Sequence, residues 1–171
     1  MILRPATDAD LVAVRELQIA SWRRAYRGIL PDAFLGAPVA KVLADRWAAL
    51  PGPHWIVETA WDGGRLAGFV SVDRSHDGGA YVDNLHVAAA AQGRGAGRAL
   101  MASAAATLSA EGHAALWLTV IRENRAARQF YRRLGGVEGA ERAETLFGQP
   151  IVSLPVTWTD LDRLARCAAR R

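Results

Sequence analysis

Lysine and cysteine are nearly missing from this chain of 171 residues: Lys41 stands alone beside twenty arginines, and Cys167 is the single thiol. One cysteine excludes an intrachain disulfide, and His54, His76, His86 and His113 are scattered without ligand spacing, so no metal is expected. No apolar run approaches the roughly 20 residues that cross a bilayer, and the first residues lack the basic-then-apolar pattern of a secretory leader. A soluble, cytoplasmic protein with no membrane partner is the expectation. Zinc-finger spacing and aromatic-rich RNA-binding motifs are also lacking, so a net charge of +4 and an isoelectric point near 10 do not by themselves imply a nucleic-acid partner. The arginine excess, set among many alanines, reads partly as coding bias. Repeats and low-complexity tracts are absent too. A hydrophobic content of 51% suits one compact domain over residues 1–171, with 158–171 as a C-terminal tail.

Against these absences stands one concentrated feature. Gln92-Gly93-Arg94-Gly95-Ala96-Gly97-Arg98 packs three glycines and two arginines between an apparent strand and an apparent helix. Before it, Tyr81 to Val87 alternates with a period of two, which puts Tyr81, Leu85 and Val87 on one face. After it, Leu100, Met101, Ala104, Ala105 and Leu108 recur at helical spacing until Gly112 stops the helix. Glycine lets the backbone turn sharply and approach a ligand, while a helix starting there aims unpaired N–H groups and the positive end of its dipole outward. The segment therefore reads as a phosphate cradle. It is not a dinucleotide fingerprint, because the sixth place from Gly93 is Arg98, and it is not a nucleoside triphosphate loop, because no Gly-Lys-Ser or Gly-Lys-Thr follows.

A second constellation follows about thirty residues on. Leu116 to Val120 reads as a buried strand, and Asn124, Ala127, Phe130 and Tyr131 lie on a helix that stops at Gly135-Gly136. Asn124 can cap that helix, and Asn124 and Tyr131, about two turns apart, share a face. Tyr131 also fits a core-facing stripe with Ala127, Phe130 and Leu134. Between residues 94 and 133, seven arginines less two glutamates leave +5 against +4 for the whole chain, so the positive excess surrounds the proposed phosphate site. Arg94 and Arg98 are the phosphate candidates, and Arg125, Arg128, Arg132 and Arg133 read as a solvated helix face.

Gln92, Gly95 and Gly97 after a strand ending Leu85-His86-Val87, followed by Asn124, Ala127, Phe130 and Tyr131, resemble the acyl-CoA-binding pattern of the GCN5-related N-acetyltransferases. The resemblance is specific from about residue 81 to residue 136. It implies acetyl-CoA as co-substrate and transfer of an acetyl group to a primary amine of a small molecule or a peptide. It further implies that residues 92–98 hold the pyrophosphate, that the backbone of Leu85, His86 and Val87 meets the pantetheine, that Asn124 and Ala127 border its path, and that Tyr131 protonates the departing thiolate. His86 is expected to matter through its main chain, its side chain being structural. The family's frequent glutamate base aligns with Tyr81, which leaves Asp83, on the same face, as the nearest carboxylate; Asp83 reads equally as a strand-end residue. Trp22 and Tyr26, four apart and so on one helix face, resemble the acceptor-site wall of some bacterial members. Gly136 departs from the family, where an aromatic commonly follows the first glycine. A non-catalytic CoA-binding module and a basic DNA-associated domain stay open as alternatives, as does a homodimer.

The element order expected is a strand at 2–4, a helix from Thr7 with Leu11, Val14, Leu17, Gln18 and Trp22 at helical spacing, a helix at 39–50, strands at 54–61 and 66–73 joined by the hairpin-like Asp62-Gly63-Gly64, a strand at 81–87, a helix after the loop, the strand at 116–120, a helix to Gly135, strands at 137–140 and at 144–156, the latter broken by Gly148 and Pro150, and a basic tail helix from Asp160. Hairpin-linked strands demand antiparallel pairing, whereas the strand, helix, strand passage suits a parallel pair. The fold class expected is α/β (α+β mixed sheet): one mostly antiparallel sheet with helices on both faces and a parallel, splayed strand pair at the cofactor site.

Overall fold

The computed structural model describes residues 1–167; residues 168–171, the end of the expected tail helix, lie outside the described residues. Eight strands among the described residues form a single sheet in the order β1-β2-β3-β4-β5-β8-β6, with β7 paired to β8. They are β1 (Ile2–Pro5), β2 (Trp55–Asp62), β3 (Arg65–Asp73), β4 (Ala80–Val87), β5 (Leu116–Ile121), β6 (Val137–Glu138), β7 (Arg142–Leu146) and β8 (Gln149–Trp158). Every pairing is antiparallel except β4 with β5. The mixed sheet and its one parallel pair are those expected. No helix among the described residues is long and apolar enough to cross a membrane.

Among the described residues six α-helices flank the sheet: α1 (Leu11–Ala25), α2 (Asp32–Leu35), α3 (Ala37–Arg46), α4 (Ala96–Ala110), α5 (Arg125–Arg133) and α6 (Leu161–Arg166). Helix α4 buries Leu100, Met101, Ala104, Ala105 and Leu108 against Val70, Val72, Ala80, Val82 and Leu116 on one sheet face, and α6 adds Leu161 and Leu164. The opposite face carries Phe69, packed with Leu11 and Val14 of α1 and with Trp47. Helix α1 is tied to β1 at its start. The Asp10 carboxylate accepts two bonds from the Arg4 guanidinium at 2.7 and 2.8 Å and one from the Thr7 N–H at 2.7 Å. These donors, Arg4 foremost, hold its carboxyl well below the usual range.

Several expectations are corrected. The helix expected over 39–50 ends at Arg46, because Trp47 leaves helical geometry and turns its indole inward, donating to Gln18 Oε1 at 2.5 Å. A short α2 precedes it, entered through Pro31. The strand expected at 144–156 with a break at Gly148 and Pro150 is a hairpin, β7 and β8, that turns at the first of these breaks. Its turn residues Phe147 and Gly148 both have left-handed φ, 47° and 79°, the geometry of a two-residue hairpin turn. The Gly63–Gly64 turn between β2 and β3 is of the same kind and was legible as such.

The departure at Gly136 has a packing reason. A Cβ on Gly136 would lie 2.6 Å from Val156 Cγ1 and 2.7 Å from Trp158 Cζ2. Trp158 fills this space, donates its indole N–H to the Leu134 carbonyl at 3.1 Å and packs edge-on against Tyr131. The aromatic comes from β8 instead of from the residue after Gly135. Gly136→Ala is expected to cost about 1–3 kcal/mol, since even one methyl overpacks the contact; urea unfolding that leaves the midpoint unchanged would contradict this packing.

Candidate functional site

The site is built on an irregularity in β4. Val72 pairs with Val82 and Ser71 with Asn84, so Asp83 is an extra residue, a β-bulge. An extra residue inverts side-chain parity along the rest of the strand. Tyr81 shares a face with Asn84 and His86, whereas Leu85 and Val87 share the α4 face with Val82. The expectation that Tyr81, Leu85 and Val87 lie together is thereby corrected: simple alternation does not survive a bulge. Asp83 remains on the side of Tyr81, for its carboxylate accepts from Ser71 Oγ at 3.4 Å and from Arg46 of α3.

Buried polar groups hold the bulge. Asn84 donates to Ser71 Oγ at 3.0 Å and accepts from Gln18 Nε2 at 2.5 Å, and Gln18 in turn accepts from Trp47. Gln18 is 1% exposed and Asn84 7%. Sequence reading placed Gln18 on the inner stripe of α1 without assigning it a role; a glutamine phased with Val14 and Trp22 was the available signal.

Beyond the bulge β4 and β5 part. They pair only at Ala80–Leu116 and Tyr81–Trp117, after which their facing edges splay. The Ala88 N–H to Ala67 carbonyl bond of 2.9 Å fixes the phase of the β3–β4 ladder. His86 and Asn84 therefore direct their backbone groups at β3, and Leu85 and Val87 direct theirs into the splay. Of the three residues expected to offer backbone groups, two are so placed. His86 is instead inward: its Nδ1 meets Ser21 Oγ at 3.0 Å and its ring packs on Phe69. Burial first, and the Arg24 charge second, push its pKa down to about 3.

The glycine loop lies at the end of the splay. Gly93 and Gly95 take left-handed φ of 74° and 88°, and Gly95 caps α4. The N–H groups of Gly95, Ala96, Gly97 and Arg98 find no backbone acceptor among the described residues, as at any helix start. Gly97 is required for packing, because a Cβ there would lie 3.2 Å from Phe130 Cζ on α5. Gln92 is exposed. Arg98 Nη2 curls back to within 3.6 Å of where a Gly95 Cβ would sit. The Arg94 side chain turns to the β2–β3 hairpin, where Asp62 pairs with it at 2.7 Å.

Asn124 caps α5 by accepting the Ala127 N–H at 3.2 Å. Seven residues on, Tyr131 is buried between Phe130 and Trp158, and its hydroxyl has no hydrogen-bond partner among the described residues. Burial pushes its phenol well above the usual range, and the charges of Tyr26 and Tyr81 add to the shift. Desolvation first, and the charge of Tyr81 second, push half-buried Tyr26 up to about 12. All three tyrosines of the chain thus converge from α1, β4 and α5. Tyr81 bonds Thr119 Oγ1 at 2.9 Å, and burial, opposed by that bond, raises it as well. Burial also raises Asp83, while Arg46 pulls it the other way.

An aromatic wall borders this cluster. Trp22 meets Tyr26 edge-on at 5.1 Å, and Phe147 at the β7–β8 turn contacts Trp22 and Phe34 at 5.8 and 6.0 Å. Phe147 and Phe34 were missed, since hairpin tip and α2 were not legible as neighbours of α1. Among the described residues no group of His, Cys, Asp and Glu could hold a metal ion.

Residues 13–136 match the model of the Acetyltransferase (GNAT) family. The chain is 26% identical to the uncharacterized N-acetyltransferase YuaI of Bacillus subtilis strain 168 over 170 residues, 95% of each. Among solved structures it is similar to the PaiA N-acetyltransferase of Thermoplasma acidophilum in complex with coenzyme A, with a TM-score of 0.70, 17% identity, and coverage of 90% of this chain and 96% of that one. It is similar also to YncA of Salmonella typhimurium with acetyl-CoA, with a TM-score of 0.66, 20% identity and 93% of both chains covered.

His86 gives the fold a pH dependence. The folded ring stays neutral down to about pH 3, whereas the unfolded ring takes a proton near 6.5. Between those values the unfolded chain binds more protons, so stability is full above about 6.5 and falls as the pH drops. Urea unfolding at about pH 7 and about pH 4 is expected to show the wild type losing its advantage over His86→Gln by roughly 3 kcal/mol; a constant difference would place the ring outside the buried site.

Proposed function

Since the chain belongs to the GCN5-related N-acetyltransferase (GNAT) family, we propose that it moves an acetyl group from acetyl-CoA to a primary amine of a small molecule or a protein, by direct attack with both reactants bound. The observation that carries this reading is the splay, with the Leu85 and Val87 backbone on its edge, the glycine loop at one end and three phenols at the other. Residues 92–98, Asn124 and Ala127 hold the donor along this path, and Trp22, Tyr26, Tyr81 and Asp83 border the acceptor. Two reactants held in one cleft gain several kcal/mol through proximity alone.

The protein's part in the reaction is positioning and proton traffic. Attack forms the N–C bond and breaks the C–S bond, so the amine must lose a proton and the thiolate must gain one. An N–H on the β4 edge offers a donor to the thioester oxygen as charge builds there. Tyr131 holds its proton at all ordinary pH because burial penalises the phenolate, and the same desolvation makes a departing thiolate more basic. Asp83, raised by burial yet ionised beside Arg46, takes the amine proton directly or through water. The Arg46 pair also favours a second reading, a CoA-binding module without turnover, in which Asp83 only anchors α3.

Calorimetry with acetyl-CoA tests donor binding, and thiol release against a panel of amines separates enzyme from module. Tyr131→Phe is expected to keep acetyl-CoA affinity within a factor of about two while lowering kcat on the order of 100-fold; unchanged turnover would remove Tyr131 as the acid. Asp83→Asn is expected to lower kcat/KM and flatten the acid limb of its pH profile, because that limb follows ionisation of the base. A profile of wild-type shape and height would leave Asp83 structural.

A further inference from the structure

Three guanidinium groups around the splay, those of Arg94, Arg122 and Arg128, are matched to carboxylates. Arg94 pairs with Asp62 at 2.7 Å, Arg128 with Glu138 at 2.8 Å, and Arg122 with Glu123 at 2.7 Å. Arg24, on the last turn of α1, differs. It is exposed, has no carboxylate within ion-pair distance among the described residues, and its Nη2 donates to the Val87 carbonyl at 3.1 Å. Its position follows from the helix. Ser21, one turn earlier, meets His86, and the residue three further along α1 falls beside the end of β4. Val87 turns its backbone into the splay, and the chain passes directly from it into the segment that ends in the glycine loop. A cation without a carboxylate partner among the described residues is thereby held on the last carbonyl of β4, at the splay. The depression of the His86 pKa by the Arg24 charge is a second sign that this charge bears on the strand end.

A neutral carbonyl is a poor match for a guanidinium. Hydrogen bonds between two charged groups are roughly twice as strong, and a phosphate accepts the planar fork through two oxygens. We infer that Arg24 is a phosphate ligand for the donor: a pyrophosphate seated at the glycine loop draws the guanidinium off Val87, and the carbonyl so released accepts an amide N–H of the pantetheine. One residue of α1 thus couples seating of the phosphates to exposure of the strand edge that the arm needs. This assignment rests on the acetyl-CoA reading above.

Titration calorimetry on the full chain with CoA and with pantetheine, which lacks the phosphates, tests it. Arg24→Gln is expected to weaken CoA about tenfold, the loss of one charge-assisted contact, and to leave pantetheine within a factor of about two. Arg24→Lys, which keeps the charge but not the fork, should fall between, and it carries the test should the glutamine variant fold poorly. Undiminished CoA binding, or equal losses for both ligands, would overturn the role. Failure of the unsubstituted chain to bind CoA would instead remove the acetyltransferase reading and leave the contact with Val87 as a strand-end cap.

Discussion

The bulge at Asp83 is the constraint on which the rest of the site depends. Were the same residues paired in unbroken alternation, Tyr81 would point toward α4 with Leu85 and Val87. With the bulge, one strand serves two purposes. Its first half sends Tyr81 and Asp83 to the α1–α3 face, and its second half sends Leu85 and Val87 to the α4 face. A bulge also increases local twist, which accords with β4 and β5 parting directly after their two paired positions. The interaction that fixes it is the buried chain of amides and indole from Trp47 through Gln18 to Asn84 and Ser71. In a water-excluded position every unmet donor or acceptor would be costly, so this network specifies a single register where apolar packing alone would tolerate slippage.

That network links the site to parts of the chain remote in sequence. Gln18 belongs to α1, Trp47 follows α3, and Asn84 sits beside Asp83. The Arg46 that pairs with Asp83 is the last residue of α3, immediately before Trp47. Helix α3 therefore delivers a structural indole and an electrostatic partner from adjacent positions. The ion pair is partly exposed, at 37% and 24% for the two side chains, and its contribution to stability is modest. Its weight falls on the protonation of Asp83, since burial raises that carboxyl and Arg46 pulls it the other way, burial being the larger.

Legibility in the sequence followed the range of the interactions. The glycine loop, the Asn124 cap and the Gly63–Gly64 turn are local, because backbone sterics and one side-chain bond decide them, and they could be read from residues a few positions apart. The mixed sheet was legible because hairpin spacing and helix crossover fix strand direction. The bulge was not, because Tyr81 to Val87 satisfies alternation on its face and only the pairing with Ser71 and Val72 reveals the surplus residue. The hairpin at Phe147 was hidden for a related reason: a phenylalanine with φ of 47° is an unfavourable turn residue, and its choice follows from contacts with Trp22 and Phe34 that are distant in sequence. Trp158 likewise supplies an aromatic that local pattern would look for at position 136.

The same distinction separates the donor half of the site from the acceptor half. In the proposed acetyl-CoA reading the donor meets backbone: N–H groups at the start of α4 and the two residues of β4 that face the splay. Backbone geometry leaves a signature in glycines and caps. The acceptor side is a surface of side chains brought from α1, α2, β4, β5 and the β7–β8 turn, each set by tertiary packing. Three phenols, with Asp83 the carboxylate bonded beside them, form an environment in which burial keeps the tyrosines neutral. In the proposed reading such a surface discriminates amines by shape and by aromatic contact. Phe147, partly exposed at the tip of a hairpin and contacting both Trp22 and Phe34, is the member of that surface with most freedom to vary without disturbing the core. If this surface borders the acceptor as proposed, selectivity can change at the β7–β8 turn while the bulge, the splay and the glycine loop stay fixed.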